Sequence, residues 1–566
     1  MALEFKGRKH EKEYLTQCSE QSCYEYMLEC YERYKEDIGE YDAFVVPVAN
    51  VESSTTMSRF ISDIEGFSAY LSSTGLKKGD VFTVFLPTCA HAAICFYAFN
   101  KLGVIVNFVH PLTPPHALEK IMVNTKSKGI VILDLFADSF KSVMAKYPSI
   151  VCSVSDYCDG VALKYAAYNE AQNAKIPELE TVVLYKDILK MNLSPVETVK
   201  SLGKDDAFYM QGGGTTGKSK TIRLSSYCFN SLAYKYFLLD PPHDLKTCHS
   251  FACLPCFHAY GLIGGIHYAI CNAYKPILFS KFDPRQANEL IRKYNVVEIL
   301  GVPKMFQKMM EEDNFDNEGL KNLMVTSAGG DIVTEATLEK FDGYMEKHGA
   351  VARLARGYGL TEMCGAATAN NGPMGHYKKE SAGFPMYNIK LEIWDEEGNR
   401  LPAGEIGEIC LTSDIIMNGY LYDDVIQEDG IYFDENRTPW IKTGDMGYLD
   451  EDGFLFFAGR KKRIIIISGY NIYPATIEEK IDQLDYISEV CAVQGYNEKG
   501  KPLVKLCVSL ADNSLDHEEI KEKLKTFCKE ELESYSCPRK IEFYDLLPRT
   551  KMEKIDFMKL SDPIPN

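Results

Sequence analysis

No stretch of the 566 residues approaches the roughly 18 consecutive apolar residues that a membrane-crossing helix needs. The greasiest runs, such as Ile464 to Ile467, are strand-sized. The N-terminus, MALEFKGRKHEKEYL, lacks the apolar segment of a secretory signal, and the C-terminus, DPIPN, lacks a peroxisomal or retention signal. These absences set the expectation of a cytoplasmic protein without a transmembrane segment. Basic charge is also in short supply: 62 Lys and Arg stand against 80 Asp and Glu, a net charge of −18. Nucleic acid and anionic membranes favour basic patches, so neither is expected as the main partner, although one local cationic site remains compatible with this balance. The 18 cysteines are scattered and form no dense framework. Cys253 and Cys256 have CxxC spacing with His258 close behind, but no second cluster completes a zinc set. The cysteines therefore read as reduced, half-buried side chains. Repeats and low-complexity linkers are absent.

What is present is the composition of a globular protein, 46% hydrophobic and 25% charged. The chain is too long for one ordinary core and predicts two or more domains. Residues 22–37, SCYEYMLECYERYKED, have the spacing of an amphipathic helix. From about Phe60 helix and strand alternate: GDVFTVFLP (79–87) reads as a strand, AHAAICFYAFNKLG (90–103) as a helix stopped by Gly103, and VIVNFVHP and VNTKSKGIVILD as further strands. That alternation predicts a parallel sheet covered by helices. LEIWDEEGNRLPAGEIGEICLTSD (391–414) predicts short strands joined by turns, hence a β-rich part. A boundary is expected near 459–463, at FLFFAGRKKR, followed by a helix, strand, helix tail of about a hundred residues. The expected division is 1–459 and 460–566.

The segment MQGGGTTGKSK (210–220) combines glycines, which let a backbone approach a ligand, with two threonine hydroxyls and two lysines. Those are the parts that cradle a polyphosphate. Gly212 to Ser219 satisfies the P-loop pattern G-x-x-x-x-G-K-[ST], which would make Lys218 the phosphate lysine. That motif should lead from a strand into a helix, whereas TIRLSS follows here, which is β-like, and helical spacing begins only near Tyr227.

The same loop resembles the (S/T)-G-(S/T)-T-G-x-P-K loop of the adenylate-forming superfamily, which includes the AMP-dependent acyl-CoA synthetases, luciferases and peptide-synthetase adenylation domains. Gly213 stands in the serine position and Ser219 in the proline position. The resemblance makes Gly214, Thr215, Thr216, Gly217 and Lys220 the phosphate-binding set. LPCFHAYGL (254–262) is similar to the family's LPxFHxxG segment, which would place His258 beside the acyl carboxylate. Amino-acid adenylation domains usually carry an aspartate here, so Phe257-His258 implies an acid without an α-amino group. SAGGDI (327–332) resembles the SGGAPL loop, with Asp331 replacing proline and Gly329 and Gly330 lining adenine. GYGLTEM (357–363) resembles the YGxTE motif. This implies Tyr358 against adenine with Gly359 beside it, Thr361 on the α-phosphate and Glu362 on Mg²⁺. IKTGDMGY (441–448) is similar to the TGD motif, whose aspartate, Asp445, would hold the ribose hydroxyls. Arg460 would also reach the nucleotide, Lys462 would be the hinge, and Gly469 and Tyr470 of SGYNIYP (468–474) would meet the thiol. LPRTKMEKID (547–556) resembles the PRTxxGK motif, with Glu553 replacing glycine and Lys554 bridging carboxylate and α-phosphate.

The resemblance runs from about Lys77 to Leu560. It implies an α/β fold with a large N-terminal domain of layered α/β sheets, a β-rich subdomain and a small mobile α+β C-terminal domain. The implied reaction is ATP-dependent activation of a small-molecule carboxylic acid, its acyl group long-chain, short-chain or aryl, to an acyl-adenylate, with pyrophosphate leaving, then thioester formation with coenzyme A. Within the family the open alternatives are an enzyme loading a separate carrier protein, a luciferase-type oxidase, and a silent relative. Outside it, a P-loop NTPase would yield ADP instead of AMP.

Overall fold

In the computed structural model, residues 20–48, 51–153, 155–158, 174–200, 203–212, 220–239, 244–370, 377–422, 425–427, 430–467, 470–533, 535–550 and 554–563 are described. The amphipathic helix at the start is Cys23–Ile38. Ser22 caps it by accepting from Glu25 N–H while the Glu25 carboxylate accepts from Ser22 N–H, which satisfies two otherwise orphan donors.

The expected alternation of strand and helix builds a nine-stranded sheet. Its parallel part runs Asp206–Gly212, Ile105–Phe108, Val81–Phe85, Ser127–Leu133, Ser149–Cys152, Val182–Leu184. At the other edge Lys220–Ser225 pairs antiparallel with Asp206–Gly212, and Tyr420–Tyr422 continues the sheet. A seven-stranded sheet is ordered Leu354–Arg356, Val325–Ala328, Asn295–Gly301, Cys248–Ala252, Lys275–Leu278, Asp42–Val48, Val51–Thr56. All its pairings are parallel except the last.

Between these sheets lie the helices Ala90–Lys101 and Ser226–Phe237 and the helical run from Ala259 to Cys271, packed in one apolar cluster with residues of both sheets. All twelve residues of Ala90–Lys101 are buried. Phe96 stacks on Phe208 with ring centroids 4.5 Å apart, joining helix to sheet. Burial on every side explains why this helix reads as an apolar run with little amphipathic contrast.

The β-rich part is antiparallel: Ile389–Trp394 pairs with Gly407–Ser413, which pairs with Pro439–Leu449. That long strand also carries Ile431–Phe433 and Leu455–Arg460. Beyond Arg460 the chain pairs in sheets of its own, and a separate C-terminal domain results. The hairpin Ile465–Ile467/Tyr470–Ile472 precedes a three-stranded sheet of Ile487–Tyr496, Pro502–Leu510 and Lys540–Phe543, covered by helices Pro474–Ile481 and His517–Glu531. The helix, strand, helix reading of this tail omitted Pro502–Leu510 and Lys540–Phe543. Pro502–Leu510 is buried almost without interruption, so it lacks the period-two alternation that marks a half-exposed strand.

Candidate active site

Two turns meet where the sheets abut. Val81–Phe85 leads to Thr88, whose hydroxyl donates to Leu254 O and accepts from Cys256 N–H, both at 2.9 Å. Those two bonds pin the loop after Cys248–Ala252, and His258 caps the helix Ala259–Leu262 that follows it. His258 therefore opens a helix and does not end a strand. Its ring lies 5.0 Å from Phe257, and Phe257 lies 4.4 Å from His110. Burial lowers the His258 imidazole to about 4, and the nearby His110 and Lys554 push the same way. The ring is thus neutral at pH 7, able to orient an anion through a hydrogen bond without adding charge. Ala259–Leu262 passes into a π-helix, Ile263–Tyr268, which the sequence spacing did not signal.

The C-terminal ends of Val325–Ala328 and Leu354–Arg356 supply the next two segments. Gly329 N–H donates to Gly301 O at 3.1 Å, and Gly330 turns the chain at φ +81°, in the left-handed region that favours glycine. Gly357 N–H donates to Ala328 O at 3.1 Å, which holds the two loops side by side. Gly359 admits no other residue, because a Cβ there would lie 2.1 Å from Gly365 O. Thr361–Met363 forms a single 3-10 turn that presents half-buried Thr361 and Glu362.

The Tyr358 hydroxyl donates to Asp445 Oδ2 at 2.8 Å. Asp445 is buried, and its Oδ1 lies 2.9 Å from Arg460 Nε without the alignment of a hydrogen bond, so that buried oxygen is left with no donor. Burial raises the Asp445 carboxyl, Arg460, Tyr358 and Lys554 pull it back, and Glu362 adds to the rise. Glu362 Oε1 accepts from Tyr420 O–H at 2.9 Å, and Lys220 Nζ sits 4.5 Å from the Tyr420 ring centroid. Lys554 comes from the C-terminal domain: its Nζ donates to Gly330 O at 2.8 Å.

The structure thus brings together His258, Gly329, Gly330, Tyr358, Gly359, Thr361, Glu362, Asp445, Arg460, Lys554 and Lys220. Gly214, Thr215, Thr216, Gly217, Lys218 and Gly469 lie outside the described residues. The strands flanking the glycine loop are nevertheless antiparallel neighbours, with Gly212 opposite Lys220. That is a hairpin, whereas a P-loop runs from strand into helix. Tyr470 opens the strand Tyr470–Ile472, and Lys462 is exposed in the turn Lys461–Arg463. Tyr420 was missed by the sequence reading; its signal is only an aromatic in a short strand, and the contact with Glu362 spans 58 residues. The CxxC thiols serve packing: Cys253 Sγ is directed at Leu300 O and Cys256 Sγ at Leu86 O. All described cysteines except Cys89 and Cys537 are fully buried, so half-buried is corrected to buried for most.

The sequence model of the AMP-binding enzymes matches residues 38–421, and that of the AMP-binding enzyme C-terminal domain matches residues 476–554. The chain belongs to the AMP-binding enzyme family. Within this family it is 30% identical over 517 residues to a long-chain-fatty-acid–CoA ligase of Bacillus subtilis (strain 168), a match covering 88% of each chain. It also resembles the crystal structure of the anthranilate CoA ligase AuaEII in complex with anthranoyl-AMP, with a TM-score of 0.79 at 19% identity over 96% of each chain. The o-succinylbenzoate CoA synthetase of Bacillus subtilis, in complex with its acyl-adenylate intermediate, gives a TM-score of 0.75 at 20% identity, covering 96% of this chain and 99% of that one. Among the described residues no helix is long and apolar enough to cross a membrane.

Proposed function

We propose that this AMP-binding enzyme is a cytoplasmic acyl-CoA synthetase acting on a long-chain fatty acid, an acid without an α-amino group. The reading rests above all on Lys554, delivered from the C-terminal domain to a backbone oxygen of the Gly329–Gly330 loop and close enough to His258 and Asp445 to shift both. In the first half-reaction a carboxylate oxygen of the substrate attacks the α-phosphorus of ATP. The bond from the α-phosphorus to the α,β-bridging oxygen breaks, and pyrophosphate leaves with its electron pair. Lys554 meets the negative charge that builds on the α-phosphate, and as a preorganised cation it is worth roughly 10²–10³ in rate. His258, neutral, orients the carboxylate. Asp445 Oδ1, buried without a donor, accepts from a ribose hydroxyl, and Arg460 reaches the nucleotide beside it. Tyr358, Gly329 and Gly330 border adenine, Thr361 donates to the α-phosphate, and Lys220 with the loop Gly214–Gly217 holds the outer phosphates.

Glu362 has the hard oxygen donors that suit Mg²⁺, which would shield the phosphate charge when bound. In the second half-reaction the thiol sulfur of coenzyme A attacks the acyl carbon, its proton passes to solvent, and AMP departs. We place the division of the chain at 459/460, with Lys462 as hinge. Two facts bear on this: Leu455–Arg460, the last strand paired in the large domain's sheets, ends one residue past that division, and the turn Lys461–Arg463, with Lys462 exposed, follows it. Gly469 and Tyr470 then approach the thiol after rotation. The substrate class rests on the long-chain-fatty-acid–CoA ligase relatives. Acid-dependent ATP–pyrophosphate exchange across saturated, short and aryl acids tests it, and a preference for a short or aryl acid overturns it. Coenzyme A compared with a phosphopantetheinylated carrier protein tests the acceptor.

A further inference from the structure

Arg356 is the last residue of Leu354–Arg356, directly before the GYGLTE segment. Its side chain is only 15% exposed. Nη1 donates to Glu380 O at 2.9 Å, and Nε is buried without a partner. A guanidinium held this way needs a carboxylate, and among the described residues no carboxylate of the large domain pairs with it. The carboxylate is Glu479, on the helix Pro474–Ile481 of the small domain, with Nη2 to Oε1 at 3.0 Å. Its neighbour Glu478 is already committed inside the small domain, to Arg463 and to Ala492 N–H. Glu479 is thus the acid of this helix that faces the large domain.

The two domains also face each other electrostatically next to the hinge. Asp331, the residue that stands where the family has proline, acts on Arg463 of the turn Lys461–Arg463, and Lys304 acts on Asp482. Asp331 also acts on Asp482, a like charge, so these effects are mixed in sign, and the Arg356–Glu479 pair is the direct contact on a nearly buried cation.

We propose that Arg356 and Glu479 form a latch that holds the small domain in the arrangement presenting Lys554, which makes Arg356 a positioning residue for adenylate formation. It acts through Lys554 and does not touch the reacting atoms. The pair has to open when the small domain rotates for thioester formation, so the latch favours the first half-reaction and is neutral or opposed to the second. This inference rests on the proposed two-step reaction.

The test uses the full chain, with the single substitutions on the partly exposed small-domain side so that the GYGLTE segment is undisturbed in them. Glu479→Gln should lower palmitate-dependent ATP–pyrophosphate exchange about threefold, and Glu479→Arg, which sets two cations together, about tenfold. Thioester formation from preformed palmitoyl-adenylate and coenzyme A should stay within about twofold in both. The exchanged pair Arg356→Glu/Glu479→Arg should recover exchange to within about threefold of the parent, as a restored pair does in a double-mutant cycle. A second readout needs no activity: tryptic cleavage in the turn Lys461–Arg463 should speed up about tenfold in Glu479→Arg as the small domain undocks. Equal losses in both half-reactions, an unchanged cleavage rate, or an exchanged pair no better than the weaker single variant would overturn the latch. A parent enzyme with no acid-dependent exchange would overturn the proposed function instead, and the cleavage rates would still decide the latch.

Discussion

Asp445 and Lys554 carry opposite charges into one site on opposite kinds of support. Asp445 is buried on the long strand Pro439–Leu449, held by Tyr358 on one oxygen and faced by Arg460 on the other. Lys554 is exposed, arrives from another domain, and is anchored by a single bond to a backbone oxygen. On the proposed function the nucleotide side is preorganised before substrate arrives, and the charge that drives the chemistry is delivered and can be withdrawn. A fixed floor suits both half-reactions, whereas a removable lysine suits only the first.

The largest expected effect comes from the delivered side. Lys554→Ala should cut adenylate formation by roughly 10²–10³ and leave thioester formation from preformed acyl-adenylate nearly intact. Single-turnover assays of the two half-reactions would show it, and equal losses would erase the contrast. On the fixed side, Asp445→Asn keeps an acceptor but loses the charge facing Arg460. It should raise the KM for ATP about tenfold with a smaller change in kcat, and slow both half-reactions alike. Tyr420→Phe removes one hydrogen bond to Glu362 and keeps the ring under Lys220. A loss of about fivefold in ATP use is expected, and Tyr420→Leu, which removes the ring as well, should lose more.

The smallest effect is in pH dependence. His258 sits at about 4 in the folded protein against an ordinary 6.5. Its lowered value favours the neutral folded form above pH 6.5, and that advantage is lost progressively as pH falls from about 6.5 to about 4. The imidazole NMR signal absent from His258→Gln should therefore titrate near pH 4 in the free enzyme. A midpoint between 6 and 7 would mean that the ring is solvated and not enclosed by the loop.

Much of this was legible in the sequence. Segments with their own period, such as 22–37 and the alternation from Phe60 onward, became the helix Cys23–Ile38 and the parallel sheet. The TIRLSS reading, β where a P-loop needs a helix, became Lys220–Ser225 paired with Asp206–Gly212. The motifs that resemble the family's grouped Tyr358, Glu362, Asp445 and Lys554 in one site, and the structure has Tyr358 bonded to Asp445 with Glu362 and Lys554 close enough to act on it. What escaped was pairing at a distance. Tyr420 meets Glu362, and Arg356 meets Glu479 across 123 residues, through packing that no local spacing reports. The buried strand Pro502–Leu510 escaped for a related reason, since continuous burial hides the alternation that announces a strand.

The most direct test of ATP-dependent carboxylate activation is the fate of ATP labelled in its β and γ phosphates, followed with a saturated long-chain acid and without it. Labelled pyrophosphate and unlabelled AMP, formed only when the acid is present, are the predicted products. Labelled ADP and inorganic phosphate, formed regardless of the acid, would contradict the account.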